Sequence, residues 1–517
     1  ACHHAPSRSA KPKPRRSWSR LTVLRSVLRL SEVVGETGMT RAGDSDLEIT
    51  GLSSNSRLVK PGHLFAAFSG SRADGAQFIA DAARQGAAAV LASPAATEAC
   101  ATAGLPLIAD ETPRRRYALA AARFFAPQPR TIAAVTGTNG KTSVVGFLRQ
   151  IWERLGKPAA SLGTLGVSAP GFDAGTSLTT PEPAALHATL QALSGTGIEH
   201  VALETSSHGL AQHRCDGLTL TAAAFTNLSR DHLDYHAGED AYMAAKARLF
   251  CEVLPANGCA VINTDDPRGL ALAAQCRKRG QRIITIGAGP ADLSLSAQCV
   301  LAAGQRFEAA YDGQSYPLQT PLLGDFQISN LLCATALAIA CGEDAAAVFA
   351  TLPQLAGAPG RLQLVARHAD GGPVVVDYAH TPDALRAALV ALRPHVMGHL
   401  HLVFGCGGDR DAGKRPLMGA IAAELADSII VTDDNPRSED AATIRATIVA
   451  ACPGAREISA RADAIDSAIA SMAPGDALLI AGKGHERTQT IGDQQISFDD
   501  AETARQAVLG RGGKAMP

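Results

Sequence analysis

Gly137-Thr138-Asn139-Gly140-Lys141-Thr142-Ser143 separates an apolar run at 131–136 from a stretch with apolar residues at Val144, Val145, Leu148, Ile151, Trp152 and Leu155. That spacing predicts strand, loop and helix, with Gly156 ending the helix. Glycines let backbone N–H groups wrap phosphate oxygens, and the helix N-terminus adds a positive dipole. Lys141 is expected to reach the β- and γ-phosphates, and Thr142 to offer its hydroxyl to Mg2+. Val135 stands where a strict phosphate loop has its first glycine, so the pattern is a GKT with shortened glycine spacing. A tight strand–helix turn in any doubly wound domain is the bland alternative. The strand–loop–helix context favours a nucleotide.

Elements that position this loop recur along the chain. Runs at 64–68 and 88–91 read as buried strands, with a helix over 78–85 between them. Further strands are expected at 201–203, 222–226, 260–263, 282–286, 374–376, 400–404, 429–432 and 477–480, and a buried helix at 330–341. Strand–helix alternation implies α/β domains with parallel sheets. The unusual polar residues follow strand ends, where open α/β sheets bind ligands. Pro127 and Pro129 mark one boundary, and Ala358-Pro359-Gly360 is a second hinge. The expected organisation is a basic, disordered extension at 1–26, then domains at 27–129, 130–359 and 360–517.

Composition narrows the class. Of 517 residues, 46% are hydrophobic and 19% charged, which excludes a disordered chain. Lys and Arg number 48 against 49 Asp and Glu, so no global field draws the chain to nucleic acid. The longest apolar stretch, 331–341, is too short to cross a bilayer, and no membrane insertion is expected. Arg25 and Arg29 interrupt the only candidate for a secretory signal. Eleven cysteines without a CxxC pair or zinc-like spacing read as reduced thiols in a cytoplasm.

Several motifs in order carry a family resemblance. TGTNGKT at 136–142 resembles the ATP loop of the Mur ligases, which build the peptide stem of peptidoglycan. Glu204-Thr205-Ser206-Ser207-His208-Gly209-Leu210 is similar to their ESSSHGL segment, with Thr205 a departure. NLSRDHLDYH at 227–236, Lys246, Asn330, Pro359-Gly360-Arg361 and Asp377-Tyr378-Ala379-His380-Thr381-Pro382 also fit. Asp434-Asn435-Pro436-Arg437 and Gly482-Lys483-Gly484-His485-Glu486 are similar to the branch that adds meso-diaminopimelate to UDP-MurNAc-L-Ala-D-Glu.

The resemblance implies a UDP-substrate domain, a P-loop ATPase domain and a Rossmann-like amino-acid domain, in that order. It also implies an acyl-phosphate mechanism, Mg2+ and ATP, and a monomer. Phosphoryl transfer between anions needs charge neutralisation, which Lys141 begins. Thr142 and Glu204 suit the oxygen preference of Mg2+. His208 is expected to bind metal or phosphate, or else only to satisfy its loop. From spacing alone Lys246 reads as a helix-surface lysine; the resemblance makes it a carbamylated metal ligand.

Ser56, Ser71, Arg72, Ala73, Thr179, Thr180, Ser206, Gln212 and Arg214 carry over as the UDP-substrate set. Asn330, Arg361, Asp377 and His380 join the loop as the ATP set. Arg410, Asp434, Asn435, Pro436, Arg437, Gly482 and Glu486 would read diaminopimelate: guanidiniums meet carboxylates bidentately and Glu486 meets the distal ammonium. A same-fold ligase for lysine, a folylpolyglutamate synthase-like enzyme and a non-ligating nucleotide-binding module are the alternatives.

Overall fold

A computed structural model describes residues 27–35, 47–70, 73–170, 172–174, 178–229, 235–302 and 304–516. The expected basic extension at 1–26, Ser71, Arg72 and residues 230–234 of the NLSRDHLDYH segment lie outside the described residues. The chain divides into two compact units: Ala1–Ile132 with Pro158–Thr219, and Ala133–Lys157 with Leu220–Pro517.

In the first unit, Gly51–Ser53, His63–Ala67, Ala89–Ala92 and Leu107–Ala109 form a four-stranded parallel sheet in chain order. Side chains alternate faces along a strand. Leu64 and Ala66 therefore join a core with Leu30, Val33 and Tyr117, while Phe65 and Ala67 join one with Ile79 and Ala82. Both faces are covered, which is why these strands read as unbroken apolar runs. The unit also holds Ala159–Gly163 parallel to His200–Glu204, with Gly166–Ala169 antiparallel on the other side of Ala159–Gly163.

In the second unit, the strand Thr131–Thr136 (from Ala133 on), Ala222–Phe225, Cys259–Asn263, Arg282–Gly287 and Leu293–Leu301 are successive parallel neighbours. Gly304–Tyr311 and Gln314–Thr320 then extend the sheet antiparallel, so it is mostly rather than wholly parallel. The cause is local: Asp312 and Gly313 both take positive φ, closing a two-residue hairpin that needs no crossover helix. The buried helix runs Asp325–Ala340, beginning a turn before the expected start near Asn330. It packs on Lys141–Arg154, the helix that follows the phosphate loop.

A separate seven-stranded sheet in this unit runs Arg456–Glu457, Ser428–Val431, Leu400–Phe404, Ala477–Ala481, Pro373–Asp377, Gln363–Arg367 and Lys514–Ala515. Its central neighbours are parallel. The period-2 rule again splits the core, with Leu402 and Leu479 on one face and Val403 and Leu478 on the other. Because Ala477–Ala481 inserts between Leu400–Phe404 and Pro373–Asp377, three βα loops converge at the strands' carboxyl ends. That crevice is where open α/β sheets bind ligands.

Candidate active site

The phosphate loop leaves the strand Thr131–Thr136 and enters the helix at Lys141, as its spacing predicts. Gly140 caps that helix with φ 88°, and a Cβ there would collide with the Asn330 side chain. Only glycine fits. Lys141 Nζ donates to the carbonyls of Gly137 (3.0 Å) and Thr138 (2.8 Å), folding over the loop. Thr142 and Ser143 are buried in the first turn.

A second segment braces the loop. Thr138 N–H donates to Asn227 O (2.8 Å), Asn139 N–H to Asn227 Oδ1 (3.0 Å), and Thr226 Oγ1 to Asn139 O (2.6 Å). The conformation thus rests on contacts other than Lys141.

Lys246 corrects the spacing-based reading, because it is buried rather than on the helix surface. Its Nζ donates to Gly137 O at 2.8 Å and lies 4.3 Å from the centre of the Tyr242 ring. Tyr242 Oη in turn stands 3.1 Å from Thr138 Oγ1. The helix Glu239–Arg248 therefore delivers a lysine and a tyrosine onto the phosphate loop; Tyr242 was not singled out in the sequence.

Gln327, fully buried, links two expected ATP residues. It accepts from Asn330 Nδ2 (3.3 Å) and donates to Arg361 O (3.0 Å). The Arg361 guanidinium lies 5.3 Å from the Tyr378 ring centre. Asp377 accepts from Leu362 N–H (2.7 Å) and Ala379 N–H (2.8 Å), so it shapes the loop that carries Tyr378 and His380. His380 is exposed, and its Nδ1 donates to Tyr378 O at 2.8 Å.

In the first unit, Glu204 ends the strand His200–Glu204 and is 1% exposed. Its carboxylate accepts from Thr164 N–H (3.0 Å) and Thr164 Oγ1 (3.2 Å), and Thr179 Oγ1 lies 3.1 Å from Thr164 Oγ1. Thr164 had no sequence signal of its own. Ser206 caps the short helix Ser207–Ala211, which carries His208, by accepting from Gly209 N–H at 3.1 Å. Thr180 Oγ1 accepts from Ser206 N–H at 2.9 Å. Arg214 donates to Thr180 O (2.8 Å) and Gln212 Oε1 (2.7 Å) and pairs with Glu182 (2.8 Å). Thr164, Thr179, Thr180, Glu204, Ser206, Gln212 and Arg214 thus form one network. Ser56 is buried in the turn Ser56–Leu58, and Ala73 is exposed, its carbonyl accepting from Gly70 N–H.

Among the described residues no group of three or more His, Cys, Asp or Glu is placed to hold a metal. Mg2+ does not require one, because it is commonly held by one or two protein oxygens with phosphate and water. The Thr142 hydroxyl and Glu204 carboxylate fit that chemistry. Lys246 as an ammonium does not.

The amino-acid set gathers at the carboxyl ends of the last sheet. Asp434 and Asn435 are buried after Ser428–Val431, and Gly482 follows Ala477–Ala481 with φ 119°. A Cβ on Gly482 would stand 2.6 Å from Asp434 Oδ2, so glycine is required. Burial raises the Asp434 pKa, against the charges of Arg461 and Lys483. Arg437 adopts φ 53°, a left-handed conformation uncommon outside glycine. Its N–H donates to Thr490 O (3.1 Å), and its carbonyl accepts from Gly492 N–H (2.7 Å). The hairpin Thr488–Ile491/Gln494–Ser497 therefore holds it there. Pro436 is buried beside it, and Arg410 is exposed on the neighbouring loop. That loop is tied in by Gly408 N–H to Asn435 O at 2.9 Å.

Arg461 anchors the ends of two strands. Fully buried, it makes a two-pronged pair with Asp500 (2.7 Å each) and donates to Ala481 O (3.0 Å). Asp500→Ala leaves that guanidinium without its counter-charge. Unfolding free energy in urea is expected to fall by about 3 kcal/mol.

Three family models match the chain: "Mur ligase family, catalytic domain" at 48–125, "Mur ligase middle domain" at 135–338, and "Mur ligase, glutamate ligase domain" at 360–484. The chain is 49% identical over 484 residues to the UDP-N-acetylmuramoyl-L-alanyl-D-glutamate–2,6-diaminopimelate ligase of Mesorhizobium japonicum, covering 94% of this chain and 100% of that one. With the same-named ligase of Rhizobium meliloti it shares 50% over 464 residues, 90% and 95% of the two chains. A solved structure of a ligase of that name superimposes with TM-score 0.72 at 34% identity, covering 94% of this chain and 100% of the other. With the phosphate loop, its bracing segment and the polar strand ends all inside the matched segments, the chain belongs to the Mur ligase family, with that family's three-domain α/β fold.

Proposed function

We propose that this chain is an ATP-dependent ligase that joins meso-2,6-diaminopimelate to UDP-N-acetylmuramoyl-L-alanyl-D-glutamate, a cytoplasmic step in making peptidoglycan precursors. The observation that carries the amino-acid assignment is the cluster at the last sheet's carboxyl ends. There a guanidinium, Arg437, and a carboxylate, Glu486, stand on adjoining loops, the two opposite charges that a zwitterionic side-chain terminus would need. Near-50% identity to relatives bearing that activity supports it.

The D-glutamyl carboxylate oxygen attacks the γ-phosphorus of ATP, the bond to the β-phosphate oxygen breaks, and ADP leaves. The amine of diaminopimelate then attacks the acyl-phosphate carbon. The tetrahedral intermediate expels phosphate, and the nitrogen loses its proton to solvent. Phosphate oxygens carry the charge in both steps, so positioned cations matter more than covalent help. Lys141 supplies one cation, and the N–H groups from Gly140 to Ser143, at the helix N-terminus, cradle the phosphates. Mg2+, when bound, would supply further positive charge; Thr142 would offer it a hydroxyl oxygen, and Glu204 is the carboxylate donor that the family resemblance implies. Thr179, Thr180, Ser206, Gln212 and Arg214 orient the UDP-substrate, with Ser56 and Ala73 at its other end. His208, on the short helix after Glu204, is the residue proposed to meet phosphate.

Lys246 is proposed to work as its carbamate. Carbamylation replaces a buried cation with a carboxylate oxygen donor yet keeps one N–H on Nζ, enough for the bond to Gly137 O. Lys246→Ala is expected to lose activity by about tenfold or more, with partial recovery on adding a small carboxylate. Intact mass on the active enzyme checks the modification directly; an unmodified mass at full activity refutes it.

Phosphate release, measured with each substrate omitted in turn, tests the whole assignment. Turnover is expected only with ATP, the UDP-dipeptide and diaminopimelate together. Equal turnover without diaminopimelate would reject the ligase reading.

A further inference from the structure

Lys483 is among the largest fully buried side chains in the protein, yet it carries an ammonium. A buried charge must be paired and fully hydrogen-bonded to be tolerated. Its three donors are satisfied by Thr488 O (2.6 Å), Asn435 Oδ1 (3.2 Å) and Glu486 Oε2 (3.3 Å). Asn435 closes the ring. Its Oδ1 also accepts from Thr490 N–H (2.9 Å), and its Nδ2 donates to the same Glu486 Oε2 (2.9 Å).

The consequence is an asymmetric carboxylate. Two buried donors hold Glu486 Oε2, while among the described residues none bonds Oε1, and the side chain remains a third exposed. One oxygen is an anchor and the other is left for a ligand. Asp434, buried on the same loop as Asn435, would otherwise stand near Glu486 with one fewer cation to offset it.

We infer that Lys483 is a positioning residue for the incoming amino acid: it fixes Glu486 Oε2 so that Oε1 meets the substrate's distal ammonium. This rests on the reading that Glu486 contacts that ammonium. Lys483 itself, sealed behind Glu486 and Asn435, touches no substrate.

The test uses the full-length enzyme and four proteins: wild type, Lys483→Met, Glu486→Gln and the double variant. KM for diaminopimelate, ATP and the UDP-dipeptide is measured with kcat. Lys483→Met is expected to raise KM for diaminopimelate about tenfold, with kcat and the other two KM values within about threefold. The double variant should resemble Glu486→Gln alone, because one residue acts through the other. If Glu486→Gln raises that KM and Lys483→Met does not, Lys483 has no positioning role while the Glu486 reading stands. If Glu486→Gln leaves it unchanged, the reading beneath fails. Lys483→Gln, which keeps donors but not the charge, repeats the comparison should the Met variant not fold. If neither folds, or if all three KM values rise together, Lys483 is a structural pin for the hairpin and the inference is overturned.

Discussion

Lys141→Ala is expected to lower ligase turnover by about 10² to 10³ while the protein keeps its fold, since removing one donor from a developing phosphoryl charge costs a few kcal/mol. The fold should survive because Lys141 is not what shapes the loop. Thr138 and Asn139 are bonded to residues 226–229, and Gly140 is seated against Asn330. Lys141 Nζ donates to two loop carbonyls, contacts it can exchange for phosphate oxygens. The effect should therefore fall on kcat, with an unchanged thermal transition. Phosphate-release kinetics and a melting curve on the same preparation decide it. Near-wild-type turnover would remove the ATP-loop assignment.

Arg437→Ala should cost about 10² in kcat/KM for diaminopimelate and narrow the preference over lysine, which a polar mismatch can otherwise hold near 10⁴. The guanidinium uses Nη1 on Gly408 O (2.7 Å), leaving Nε and Nη2 for a substrate carboxylate. Lysine lacks that distal carboxylate, so it would bury an arginine face without a partner. Alanine removes both the attraction and the penalty. Alanine also sits poorly at φ 53°, so Arg437→Gly is the control that separates backbone strain from lost charge. Both variants should show the same narrowed preference. A wild type that uses lysine as well as diaminopimelate, or variants that keep full discrimination, would show that Arg437 is not the selector.

The residues themselves determined most of the parallel strands, the phosphate loop and the family. The runs at 131–136 and 400–404 are the observed strands to the residue, because strands covered on both faces read as mainly apolar runs. Asp312-Gly313 was a legible hairpin signal too, overshadowed by the strand–helix rhythm on either side. Tertiary structure alone decided which cations are buried and what they hold. Lys246 sits on a helix whose local pattern marks it as exposed; the phosphate loop, about a hundred residues earlier in the chain, accepts its hydrogen bond and helps to bury it. Lys483 lies in a glycine-rich loop with no periodicity at all, and its partner Asn435 comes from a different strand end. Periodicity reports how a segment faces its own neighbours. Burial of a polar group is set by distant segments that supply its hydrogen bonds, and no local spacing encodes them.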